Sequence, residues 1–597
     1  MALGNILITA VPMPSGIVSS KYRDGNNPNG TPSLSGAPTT LSFIQGTGGT
    51  FNFGAYGTDP DNDSPLTYAL VGTSYTGITM SNTGLLTVGT NATAAVRNLV
   101  ISITDPGLLS SNFTCQVTIT AVASVADFVI PVSSAQRTIN GASEVAYTLN
   151  SVAVRWESLS TSGKTIPSGG DTIVLEATSG VTHHGPIKFI NIRGTSLSDL
   201  IYIKAPTSGS TPAIIRRVDP APGGFALEFT DCRFFKIDGY MAARTSNRSC
   251  GIKIMYAKNA ATNDKEGISS YVKLSASSNQ STFGITDNCI LAYIEIDGGW
   301  QNNANSVTSN GIGISTNSNE YLVANHAGKW QENITIEYCW VKNTEGEGMY
   351  IGPNWYTGSL PCRNATIRYN RIENTNWTGF QLKSWASGTN VVYGNYIYNA
   401  GFAGDDGHSN ACQLLDGTYQ AWGNHFELCF NSGLTFWLND IPASYGILDQ
   451  IAYNNVIVDP GNNGINVGSS ALGRAGQALA TPRGQLYNNT IVRAPNGNPC
   501  TIESDAASGS FIRNNLAANC GSFSPATSLS NITVTNNRSG TVAAQNFFND
   551  PERNYRLTAS SPARDAGISG YPFTDFDGVV VRPSGASADQ GAFEYVA

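Results

Sequence analysis

The sequence predicts an all-β chain: a solenoid of short parallel strands preceded by a β-sandwich. Three observations carry this. First, seven phrases between Asn333 and about Asn515 repeat one pattern: NITIEYCWVKN, NATIRYNRIEN, NVVYGNYIYNA, YQAWGNHFELC, QIAYNNVIVDP, GQLYNNTIVRA and SFIRNNLAANC. Each has an alternating apolar run, then Cys or Asn at a fixed place, then a second alternating run. The fixed place is Cys339, Asn370, Asn395, Asn424, Asn455, Asn489 and Asn515, so subtraction gives steps of 31, 25, 29, 31, 34 and 26 residues. Strand-type alternation at such a period means one supersecondary unit per repeat, stacked on its neighbours. Second, a further phrase follows in each repeat: EGMYIGP, GFQLKS, ACQLLD, GLTFWL and GINVGS, with GIKIMY and GIGIST earlier. Third, charged residues are only 13% of the chain, against roughly 25% in ordinary globular domains.

Two strands per turn fix an inside and an outside, because successive strand side chains point to opposite faces. Ile252, Ile312, Met349, Phe380, Cys412, Leu434 and Ile465 should point in. Equal positions on successive turns stack about 4.8 Å apart. Stacked Asn amides can bond to one another up such a column. That gives a reason for burying an amide whose unpaired burial would cost roughly 1–3 kcal/mol.

In chain order, residues 1–36 are rich in Gly, Pro, Ser and Asn and read as an arm or linker. The N-terminus has no basic residue ahead of its short apolar run and is a poor secretory signal. Residues 37–123 carry short alternating runs broken by turn signals, the pattern of a β-sandwich. Residues 124–545 form the coil, and 126–160 should include the cap that covers its open end. His183 and His184 read as a solvated pair in a turn. Residues 546–597 lose the ladder, gain turn residues and charges, and read as the C-terminal cap.

Two stretches resemble known families. DPDNDSPLTYAL, GITMSNTGLLTV and VISITD resemble the cadherin-like and immunoglobulin-like modules of bacterial surface proteins. There the acidic loop often holds calcium, which implies Asp59, Asp61 and Asp63, with Asp105, as ligands. NYRL, SPA and DAG, then DFDG, RP and GAFEY, resemble the C-terminal segment of right-handed parallel β-helix proteins, the pectate-lyase-like group. With the repeats, that likeness covers about three quarters of the chain. It implies a right-handed coil and a carbohydrate-related role.

The net charge of −8 without a basic block speaks against a nucleic-acid partner. No apolar run approaches the ~20 residues of a membrane span. The ten Cys follow no disulfide-scaffold spacing and read as buried thiols, with Cys500 and Cys520 open to pairing. The composition is that of an exterior protein, extracellular or on a virion. Attachment would run through the N-terminal region, and a homotrimer is expected by analogy with virion β-helices.

Eight of the nine Trp fall between Trp300 and Trp437. Their rings either stack on sugars or pack loops and subunits. The outward columns of the second strands read Lys253, Gly313, Tyr350, Gln381, Gln413, Thr435, Asn466 and Met255, Ser315, Gly352, Lys383, Leu415, Trp437, Gly468. Tyr350, Gln381, Gln413, Asp416, Trp437, Trp355 and Trp385 are the expected glycan contacts. Lys383, Glu347, Asp405, Asp406 and His408 are the candidate catalytic groups.

Three functions fit that wall. A polysaccharide lyase would use Lys383, His408 or Tyr350 as base. A glycoside hydrolase would pair Glu347 with Asp405, Asp406 or Asp416. The stretch GDDGH resembles polygalacturonase motifs, although those place the DD and GH elements on separate turns. A tailspike- or fibre-like adhesin would recognise a cell-surface glycan with or without cleaving it. The expectation adopted is surface-exposed glycan recognition.

Overall fold

The computed structural model describes residues 31–595 except 45–47, 61–64, 73, 90, 94, 107–108, 121–125, 134–136, 142, 150–151, 207–210, 218–223, 242–249, 257–267, 276–284, 300–309, 315–329, 353–361, 385–387, 403, 405–408, 474–475, 504, 524–529, 569–573 and 577–586. Two compact units, 1–124 and 125–597, divide the chain.

The first unit is the expected β-sandwich. One sheet has four strands, in the order Thr40–Ile44, Ser110–Thr120, Ala95–Thr104 and Thr67–Val71. The other has three: Gly49–Asn52, Leu85–Val88 and Ile78–Met80. Alternation buries one face of each strand, so Leu86, Ile101, Ile103, Cys115 and Val117 make the core with Phe53.

The second unit is a parallel β-helix. Three long parallel sheets run its length, here named A (13 strands), B (12) and C (11) in the order each complete turn visits them. One turn reads Ile334–Glu337 in A, Trp340–Thr344 in B and Met349–Ile351 in C, three strands where the sequence reading expected two, because the Asn turn splits the first phrase into two strands of its own. Parallel crossovers are right-handed in about 98% of cases. The expected inward residues Ile252, Ile312, Met349, Phe380, Cys412, Leu434 and Ile465 all lie in one continuous apolar core. Rings stack within it: Phe189 on Phe229 at 5.0 Å, and Phe229 on Phe235 at 4.9 Å.

The repeated Asn forms a ladder in the A-to-B turn. Nδ2 of Asn370, Asn395, Asn424, Asn455 and Asn489 each donates to Oδ1 of the next, at 2.9–3.0 Å. Each Oδ1 also accepts the backbone N–H of the residue one turn back, down to Cys339 N at 3.0 Å. The column runs one rung beyond the expected series, through Asn515 to Asn537.

The residue before each ladder position has left-handed backbone. It is Tyr293, Tyr338 and Tyr369, then Gly394 and Gly423, then Asn454, Asn488, Asn514 and Asn536. Gly and Asn adopt this conformation readily, whereas a bulky Tyr does so rarely. Here Tyr293, Tyr338 and Tyr369 stack on one another at 4.9 and 5.1 Å.

The change from Tyr to Asn marks where the C-terminal segment lies. Asn454, Asn488, Asn514 and Asn536 donate to the carbonyls of Thr574, Asp589, Ile568 and Ala566. The outer face of sheet B changes with it. Lys253, Glu295, Lys342, Asp297, Arg371 and Glu373 carry charge in the earlier turns. From Val456 onward Val458, Val492 and Ala518 are apolar and packed by Tyr555, Ala592 and Phe593. The described part of 546–595 therefore flanks the last turns. Arg493 and Arg553 fasten it through Asp459, Asp550 and Glu427.

At the other end, the hairpin Val145–Leu149 with Val152–Arg155 and the short helix Trp156–Leu159 close the core. Trp156 Nε1 donates to Asn140 O at 2.8 Å and its ring meets Phe128 edge-on. His183 is a correction to the sequence expectation. It lies in the strand His183–Gly185, buried, with Nδ1 2.8 Å from the Arg137 guanidinium and Nε2 2.8 Å from Glu176 O. Burial lowers its pKa, so it serves as a neutral hydrogen-bonding core residue.

Candidate functional site

From Asp287 onward, sheet A reaches sheet B through one or two residues in every turn. All longer connections in that part of the coil border sheet C, on one side or the other. The tight Asn turn permits no insertion, since each amide must meet the next. Sheet C is thus the strip on which varied side chains can gather.

Its outward column follows the strand register: Lys188, Glu228, Lys273, Gly313, Tyr350, Gln381, Gln413, Thr435, Asn466 and Thr501. A second column holds Lys383, Leu415, Trp437 and Gly468. Two expected members lie elsewhere. Lys253 and Met255 belong to Ile252–Tyr256 in sheet B, where Lys253 pairs with Glu295 at 2.7 Å. Lys273 holds its place on sheet C. The strand phrase was read correctly, but alternation alone does not distinguish one sheet of a coil from another.

A third column borders the strip where the chain enters sheet C. Backbone bonds link Glu347, Thr378, Asn410, Ser432, Asn463 and Asn498 through the residues that follow them. Glu347 N donates to Asn310 Oδ1 at 3.2 Å, and Thr435 Oγ1 reaches Asn410 Oδ1 at 3.2 Å, tying this column to the outward one. The small residue after all of these but Asn498, which precedes Pro499, is required by close packing. A Cβ on Gly348 would come within 2.5 Å of Gly379 O and of Ile372 Cγ2.

Glu347 is 2% exposed, and burial pushes its carboxyl up to about 7. A carboxylic acid still protonated near neutrality can donate a proton in a reaction. Beside it, the hydroxyls of Thr378 and Ser409 are fully buried and have no hydrogen-bond partner among the described residues.

Lys383 is also buried, with Nζ 3.7 Å from Asp440 Oδ2 and both side chains 3% exposed. Gln381 is buried, while Tyr350, Gln413 and Trp437 are partly open. Trp437 Nε1 donates to Ser470 Oγ at 3.2 Å. Asp416 serves the chain itself: its Oδ1 accepts the backbone N–H groups of Asn439, Asp440 and Ile441 at 2.7, 2.8 and 3.2 Å. That shapes the turn that brings Asp440 to Lys383. Asp405, Asp406, His408, Trp355 and Trp385 lie outside the described residues.

Among the other Trp, Trp330 faces Arg363, Trp340 bonds Glu373 and Trp422 stacks between Tyr393 and Tyr453. These three pack the coil. All ten Cys are free thiols. In the sandwich, Asp59 follows the short strand Gly57–Thr58, and Asp105 Oδ1 accepts Leu109 N at 3.0 Å. Asp61 and Asp63 lie outside the described residues, and no group of three potential metal ligands occurs among the described ones.

Neither a scan against protein-family models nor a search of curated proteins found a match. Among solved structures, the A-module of mannuronan C-5 epimerase AlgE6 from Azotobacter vinelandii aligns at 13% identity and TM-score 0.21, over 62% of this chain and 91% of that one. The family 28 exopolygalacturonase of Yersinia enterocolitica aligns at 8% identity and TM-score 0.24, over 86% of this chain and 99% of that one. At these scores neither likeness carries an argument about function.

Proposed function

We propose that the chain is a surface-exposed glycan-recognition protein that binds an extended polysaccharide along sheet C and hydrolyses it. The observation that carries this is Glu347: a buried carboxyl, protonated near neutral pH, in the border column of a strip lined by Tyr350, Gln381, Gln413 and Trp437. Glu347 gives its proton to the glycosidic oxygen as the bond to the anomeric carbon breaks. Water adds to that carbon and loses its proton to a second carboxylate. We assign that role to Asp405 or Asp406, which precede the strand Cys412–Leu415 in the sequence.

A lyase would need a neutral base instead. Lys383 already faces Asp440 at 3.7 Å, so it suits binding better than proton abstraction. His408 stays a proposed base or hydroxyl contact, and Trp355 and Trp385 proposed stacking rings. Display on a virion or cell through the N-terminal region, a trimeric state and calcium in the sandwich belong to the same proposal.

Incubation with a panel of acidic and neutral polysaccharides tests it. New reducing ends without ultraviolet absorbance support hydrolysis. New absorbance marks β-elimination and overturns it, and retention without cleavage leaves recognition alone. No retention of any glycan overturns the whole reading.

A further inference from the structure

The far end of the sheet C strip gathers an indole and several polar side chains around Gly468. Trp437 and Glu503 converge over Gly468, where an added Cβ would lie 2.5 Å from Trp437 Cζ3 and 2.5 Å from Glu503 Cγ. Only glycine lets the indole lie down against the sheet at this point. Ser470 holds the indole N–H and itself donates to Asn439 Oδ1 at 2.9 Å, so the ring is fixed while the residue stays half-buried.

Beside it, in the outward column, stand Asn466 and Thr501 in register. Thr501 is 4% exposed, and its Oγ1 has no hydrogen-bond partner among the described residues. Asn466 Oδ1 is in the same condition. Two buried, unsatisfied polar atoms next to a pinned indole are costly unless a ligand supplies the missing bonds. Hydroxyls around an apolar ring face are the chemistry that matches both. Glu503 adds a third polar group, its carboxyl raised by burial and then by Asp505.

We propose that Trp437, Asn466, Thr501 and Glu503 form a distal subsite for one sugar ring, which makes this protein selective for long glycan chains. This rests on the reading of sheet C as a glycan strip. Thr501 lies five strands beyond Tyr350 in sheet C, about 24 Å at the spacing of neighbouring strands. Trp437 lies three strands beyond, about 14 Å. A pyranose in an extended chain advances about as far as one rung, so a ligand filling both ends has roughly four to six rings.

Size-graded oligosaccharides of alginate, polygalacturonate, dextran and chitin, from disaccharide to octasaccharide, are titrated against the full chain. Affinity should climb with length and level off at roughly four to six rings. Trp437→Ala and Thr501→Val should each weaken the longest ligands about tenfold and shorter ones progressively less. Unchanged melting of both variants shows that they fold. Affinity that levels off by the disaccharide, or variants that hold long chains as the parent does, overturns the distal subsite and leaves the glycan reading standing. If Glu347→Gln still cleaves while length dependence persists, the hydrolytic assignment falls and the subsite stands. No binding to any of the four chemistries removes both.

Discussion

Oδ1 of Asn424 accepts two bonds from Asn395, one from the side-chain amide at 3.0 Å and one from the backbone N–H at 3.1 Å. Asn424 Nδ2 in turn donates to Val392 O at 2.9 Å and to Asn455 Oδ1 at 2.9 Å. The replacement Asn424→Ala leaves buried donors and acceptors unmatched on both neighbouring turns. It should lower stability by about 3 kcal/mol. Urea unfolding should show a lower midpoint with an unchanged slope. An unchanged midpoint would mean that the ladder is ornament.

Glu347 should link activity to stability. Its folded pKa, about 7, lies above the ordinary 4.5. Its contribution to stability is therefore complete below pH 4.5 and is lost as pH rises through 7. Glu347→Gln should abolish turnover and, at pH 8, unfold later than the parent by roughly 3 kcal/mol. Denaturant titrations at pH 5 and pH 8 test the difference, which should shrink to under about 1 kcal/mol at the lower pH.

The pair Lys383 and Asp440 is nearly solvent-free. Lys383→Met should cost about 3–5 kcal/mol, because it removes the cation that faces a buried carboxyl group. Adding Asp440→Leu should restore most of that loss. A double variant as unstable as the single one would show that the pair does more than cancel its own charges.

His425 gives the opposite pH slope. It lies beneath Arg553, 3.6 Å from Glu427, with its ring edge-on to Tyr396 and Phe576. Burial first, and Arg553 second, push its pKa down to about 4. Its contribution is full above 6.5 and lost as pH falls toward 4. His425→Gln should flatten the fall in melting temperature over that interval, measured by scanning calorimetry.

Calcium is expected to act on the sandwich alone. If Asp59, Asp61, Asp63 and Asp105 bind it, added calcium raises the melting temperature of that unit, and Asp61→Asn with Asp63→Asn removes the rise. Identical melting with calcium and with chelator dismisses the site.

Much of this molecule was legible because a coil repeats its constraints. The Asn series marked the tight turn, and the inward residues Met349, Phe380, Cys412 and Leu434 followed from alternation. Sheet assignment was harder. Ile252–Tyr256 reads like a sheet C strand, yet it follows the longer connection after Arg233–Asp238 and joins sheet B. Burial of Lys383 and Gln381 was also invisible, since strand alternation says which way a side chain points but not what covers it. The role of Asp416 is set by three backbone groups more than twenty residues away. For the docked C-terminal segment a signal did exist: the triple Val456, Ile457, Val458 breaks alternation where the outer face of sheet B turns apolar.

That apolar stretch has a consequence for handling the protein. A chain cut before Asn546 would leave Val456, Val458, Val492 and Ala518 bare beside four asparagines stripped of their carbonyl acceptors. Such a fragment would keep its rungs and still be sticky along one flank. Shortened versions should clump while the rest of the coil stays wound.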